Sequence, residues 1–177
     1  MGQLLMEVNN YRGRRSSLVL FLPVLFIVFL LEITSLPEVV QDYRPDLLSL
    51  TLLFFAISEP RKYSIEVAWI CGLILDLLTG SPLGVHAMVL ALQIYIIISQ
   101  FKYFAQYALW QQALIIGLVH LIADVIIFWL EHIIGQSNYE STFIVPALTT
   151  ALFWFPVFLG FGLMSRFFSI GGSTDNK

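Results

Sequence analysis

Charge is scarce in this chain. Of 177 residues, 12 are acidic and 9 basic, so 12% are charged, where a soluble domain carries about a quarter. Cysteine is nearly absent. The single Cys71 excludes an intrachain disulfide and a thiolate metal cluster. There is no nucleophile elbow, phosphate-cradling glycine loop, HExxH zinc motif or kinase signature, so no catalytic activity and no cofactor is expected. No pattern points to a nucleic acid, and the net charge of −3 says little because the charges are segregated by loop. No internal repeat stands out, and the polar tail GGSTDNK is short.

What the chain has is apolar surface: 58% hydrophobic residues and a mean hydropathy of +0.84. A soluble protein of this size has no core large enough to hide that much, so the expected solvent is a lipid bilayer. Six apolar runs follow one another, at about 17–36, 46–58, 64–79, 84–100, 105–134 and 143–168. They predict an all-α, polytopic, single integral membrane domain over 1–177. The first run follows Arg12, Arg14 and Arg15. It is too long for a signal-peptide core and no small-residue cleavage site comes after it, so it reads as an uncleaved first helix, with Pro23 in its early turns. The second run covers roughly 20 Å at about 1.5 Å per residue, against a hydrocarbon core of roughly 30 Å. It needs flanking residues, thinned lipid or shielding by neighbours.

Six helices put Arg12, Arg14, Arg15, Arg61, Lys62, Lys102, Arg166 and Lys177 on one side and Arg44 alone on the other. That asymmetry places both termini in the cytoplasm and accounts for Arg61 and Lys62 as topology determinants. The outer loops hold Glu38, Asp42 and Glu140 instead, and Tyr63, Tyr103, Tyr107 and Tyr139 are placed as an interfacial belt.

The organising stretch runs from Trp69 to Ala91: an apolar helix end, the turn Gly80-Ser81-Pro82-Leu83-Gly84, and the start of the next helix. Proline cannot continue a helix interior and glycine permits tight dihedrals. Asp76 lies in the last turn of its helix, where the macrodipole disfavours a carboxylate. The helix inserts on about −4 kcal/mol of apolar residues against about +3 for the Asp, so Asp76 needs a partner. The nearest donors are the unpaired backbone N–H groups around Gly84 to His86. The plainer reading is a cap stapling two helices at the outer face. The sharper one is an ion, proton or substrate site using Asp76 and His86.

On the fifth helix, His120 and Asp124 are four apart and share a face that Gly117 and Glu131 extend. Intramembrane ionisable groups usually face the bundle interior. A self-satisfied pair that locks packing is the expectation, beside proton or solute handling or a partner contact. No third ligand stands at a diagnostic spacing, so no metal is assigned. Ala147, Ala151, Gly160 and Gly162 suit a close helix approach.

The central stretch resembles the rod shape-determining protein MreD family of bacterial inner membranes. The residues that carry the likeness are Gly72-Leu73, Asp76, Gly80, Leu83-Gly84 and Ala87, with Pro60 and Pro45-Asp46-Leu47 before them. The motif gives Gly72, Asp76, Gly80, Pro82, Gly84 and His86 as structural positions, while His120 and Asp124 inherit nothing from it. The resemblance implies a non-enzymatic member of the cell-elongation machinery. It would bind the bitopic protein MreC and work with MreB filaments, a SEDS glycosyltransferase and a penicillin-binding transpeptidase. It also implies a fold similar to the substrate-binding subunits of energy-coupling-factor vitamin transporters, which makes a transporter subunit the alternative.

Overall fold

A computed structural model describes residues 20–34, 37, 43–60, 62–101, 103–135 and 144–167. Among these residues there are six α-helices and no strand. They are α1 (Leu20–Ile33), α2 (Leu47–Ser58), α3 (Ile65–Thr79), α4 (Val85–Gln100), α5 (Leu109–Ile134) and α6 (Ile144–Phe167), with a 3₁₀ turn at Phe104–Gln106. Asp46, Ser64 and Gly84 are caps just outside their helices. The basic residues at 12, 14, 15, 61, 102 and 177, and the acidic ones at 38, 42 and 140, lie outside the described residues.

The short helix is the central one. α2 spans about 18 Å at ~1.5 Å per residue, and its residues Leu48, Leu50, Leu52, Leu53 and Phe55 are buried on every side. A helix apolar all round belongs inside a bundle. Phe21 of α1 meets Phe55 with ring centroids 5.0 Å apart, Phe161 of α6 stacks on Phe54 at 4.9 Å, and Ser49 bonds to Gln93 of α4. Of the remedies for its length, shielding by neighbours is the one these contacts supply.

The polarity is inside out. On α5 the outward residues are Trp110, Leu114, Leu118, Ile122, Trp129 and Ile133, while the buried face holds Gln112, His120 and Asp124. Water would penalise so continuous an apolar exterior, whereas a bilayer favours it. Two helices, Leu109–Ile134 and Ile144–Leu163, are long and apolar enough to cross a membrane.

Two helix pairs pack through small residues. α3 and α4 form an antiparallel hairpin whose backbones nearly touch: a Cβ on Gly72 would lie 2.3 Å from Ala87 Cα. α5 and α6 meet where a Cβ on Gly117 would stand 3.1 Å from Ala151 Cβ and 3.6 Å from the Ala147 carbonyl. The small-residue expectation for the last helix thus holds at Ala147 and Ala151 only. At Gly160 and Gly162 an added Cβ meets nothing within 4 Å.

Two further expectations are corrected. Helix five begins at Leu109 rather than 105. The extended backbone at Tyr107 (ψ 152°) separates the 3₁₀ turn from the helix. Buried Gln112 holds that break open by donating to the carbonyls of Phe104 (3.2 Å) and Tyr107 (3.0 Å). Gln111 then reaches back to the Ala108 N–H at 3.2 Å, half of a capping box. Tyr63 is not in an interfacial belt. It is 2% exposed and packs on Phe21 and Phe55. Tyr103 and Tyr107 are exposed, and Tyr139 lies outside the described residues.

Candidate functional site

The α3–α4 turn is built on two left-handed glycines. Gly80 has φ +73° and Gly84 φ +100°. Gly80 donates to the Asp76 carbonyl at 3.0 Å, which ends α3. Pro82 follows and its carbonyl accepts from Val85 at 3.2 Å, which starts α4. An added Cβ at Gly80 or Gly84 meets nothing within 4 Å, so the demand is conformational and not steric. Gly80→Val and Gly84→Val are therefore expected to cost about 1–2 kcal/mol each, while Gly80→Asn, which tolerates the left-handed region, costs less. Thermal unfolding of the purified variants reads this order.

The turn wraps the Asp76 carboxylate, whose side chain is fully buried. Gly84 N–H donates to Oδ2 at 2.7 Å, and His86 N–H to Oδ1 at 3.1 Å. His86 Nδ1 lies 2.8 Å from Oδ1, and Ser81 Oγ donates to the same oxygen at 3.1 Å. An aspartate from one helix thus closes the open N-terminus of the next, where the positive end of the dipole favours it. The unfavourable place at the end of α3 is offset by the start of α4.

A second polar set crosses the bundle. Asp46 caps α2 by accepting the Ser49 N–H at 2.8 Å, and its own N–H donates to Thr150 Oγ1 of α6 at 3.0 Å. Ser49 Oγ donates to Gln93 Oε1 at 2.7 Å, and Gln93 Nε2 faces His120 Nδ1 at 3.1 Å. That contact makes Nδ1 an acceptor and turns the Nε2 edge of His120 toward Asp124. The pair expected to satisfy itself does not close: Nε2 stands 3.8 Å from Asp124 Oδ1, beyond hydrogen-bond reach. Asp124 Oδ2 is buried with no hydrogen-bond partner. Gln93 from α4 has taken the ring instead. Sequence reasoning missed Gln93, Ser49, Asp46 and Thr150 as members of this set. Asp46 is the cap before α2; for Ser49, Gln93 and Thr150 the signal was polarity at buried helical positions, legible only once the helices are assembled. The same holds for Gln112, whose Oε1 accepts from Trp154 Nε1 at 2.9 Å.

Arg44 closes the other open helix end. It donates to the carbonyls of Leu31 and Thr34 (3.2 Å) at the end of α1 and lies 3.4 Å from Glu32. A cation on terminal carbonyls complements the dipole.

These elements surround a cavity of about 230 Å³, lined by Glu32, Arg44, Asp46, His86, Gln93, His120 and Asp124 among apolar Leu75, Val89 and Ile127. It brings His86, His120 and Asp124 together. Asp76 sits behind the wall, and Gly72, Gly80, Pro82 and Gly84 serve the hairpin rather than the cavity. The side chain of Glu131 lies outside the described residues. No group of three His, Cys, Asp or Glu among the described residues is arranged to hold a metal ion.

No solved structure matches the chain. The rod shape-determining protein MreD of Haemophilus influenzae is 35% identical over 133 residues, which cover 75% of this chain and 82% of that protein. The family model for rod shape-determining protein MreD matches residues 14–164, a span that holds the Asp76 hairpin and the packed glycines described above. This chain belongs to the MreD family, and with it to the proteins that determine rod shape.

Proposed function

We propose that the chain is a non-enzymatic, six-span scaffold of the bacterial inner membrane that binds MreC and thereby supports rod shape and peptidoglycan synthesis. MreB, a SEDS glycosyltransferase and its transpeptidase belong to the same assembly. The observation that carries this is the combination of family membership with an inside-out bundle: apolar residues face outward along the helices, and polar groups such as Asp76 turn inward. A scaffold needs rigid helix ends, and Asp76 and Arg44 supply two. Purification of the tagged chain in mild detergent tests it. MreC in the eluate is the expected result, and a monodisperse chain without MreC contradicts it.

The polar cavity favours a second reading, a solute-binding subunit with the fold of energy-coupling-factor components. An ATPase module or a bound vitamin in the same eluate would establish it.

The topology has its own test. α1, α3 and α5 end, and α2, α4 and α6 begin, on the cavity side, which the basic-residue asymmetry puts outside the cell. Cysteines at Tyr43 and Tyr103, both exposed, are expected to differ. Position 43 labels with an impermeant thiol reagent on intact spheroplasts, and position 103 labels only after permeabilisation. Buried Cys71 gives little background. Outside labelling at 103 contradicts six spans.

A further inference from the structure

The cavity carries more acid than its own partners neutralise. Glu32 has Arg44 at 3.4 Å. His86 is turned to Asp76. Asp46 and Asp124 are left with His120 between them, one ring nitrogen 3.8 Å from each. Neither approach is a hydrogen bond. Asp46 has an outlet, because its Oδ1 caps α2. Asp124 has none: the residue is 5% exposed and its Oδ2 accepts no hydrogen bond.

A buried carboxylate oxygen without a donor is costly. Asp124 lines the cavity, so a donor from outside the chain reaches its carboxylate by that route. About 230 Å³ far exceeds the ~10–15 Å³ that a single water needs. The walls beside the acids are Leu75, Val89, Leu90 and Ile127. Such a site suits a compact donor with three hydrogens on a short apolar stem.

We propose that this cavity binds a primary alkylammonium group, with the Asp124 carboxylate as its principal acceptor and Asp46 as the second anion. The group is carried either by a free small amine or by a lysine side chain of a partner protein. His120, held by Gln93, is a positioning residue that keeps the two carboxylates apart. The proposal does not depend on the scaffold reading, because its first arm uses this chain alone.

The test is a titration of the purified full-length protein with n-butylamine at pH 7, with sodium chloride at equal ionic strength and n-butanol as controls. The readout is the unfolding midpoint. Butylammonium is expected to raise it by about 5–10 °C at a hundredfold excess over its dissociation constant. Neither control should do so, and Asp124→Asn should lose the rise. The second arm repeats the titration on the chain co-purified with its partner. A rise that persists there identifies a free amine as the ligand, and a rise that vanishes identifies a partner lysine. If the wild-type protein responds no more to butylammonium than to sodium or butanol, the proposal is overturned. An equal rise in Asp124→Asn overturns it as well, and since both comparisons are read on folded protein, poor folding of a variant leaves the wild-type result decisive.

Discussion

Gly72→Val is expected to strip the protein from the membrane, while Gly160→Ala leaves it abundant. A side chain at 72 would enter the backbone of α4, 2.3 Å from Ala87 Cα and 2.5 Å from its nitrogen. No rotamer change relieves a clash with backbone, so the two helices have to part. Ala87 is fully buried and offers no slack. Parting α3 from α4 also draws Asp76 away from Gly84 and His86, whose bonds span the same interface. The overpacking alone costs about 3 kcal/mol, against a total stability of about 5–15 kcal/mol for a domain. Even Gly72→Ala should fall well below wild type, since the intruding atom is the Cβ itself. Gly160 is exposed with open space around it, and alanine gains about 1 kcal/mol of helix propensity there. Immunoblots of membrane fractions and unfolding midpoints measure both.

Asp76→Ala should be the most damaging change among the polar residues. It removes the acceptor for two backbone N–H groups, for His86 Nδ1 and for Ser81 at once. Leaving such donors unmet costs about 2–4 kcal/mol. Asp76→Asn keeps one acceptor oxygen and turns its amide toward a donor, so it should cost about 1–2 kcal/mol and retain most of the protein. The order Asn above Ala, with MreC binding following abundance, is what a cap requires. A proton- or ion-binding Asp76 would behave differently: Asn would fail in function as badly as Ala, in protein that stays folded and abundant. Membrane abundance, MreC pull-down and cell shape, scored in parallel, separate the two.

Much of this is legible in the sequence. The six helices follow from runs of apolar residues, and the hairpin from glycines and a proline at one place. The donors of Asp76 could be named because a carboxylate at one helix end has its nearest open N–H groups at the start of the next. Contacts between helices distant in sequence were not readable. His120 and Asp124 share a face by spacing, but Gln93 arrives from 27 residues away and claims the ring. Gln93 sits in an apolar run, where a lone amide carries no local signal. Tyr63 has the composition of an interfacial residue, and only the packing of Phe21 and Phe55 shows it to be interior. The short α2 had three possible remedies, and the choice among them depended on which helices surround it.

The most direct test of the scaffold reading is depletion of this chain in its own host. The cells are expected to widen and round as the protein falls, and a plasmid copy of the wild type should restore rods where Gly72→Val does not. Cells that keep rod shape and width once the chain is undetectable in their membranes would contradict a role in rod-shape determination.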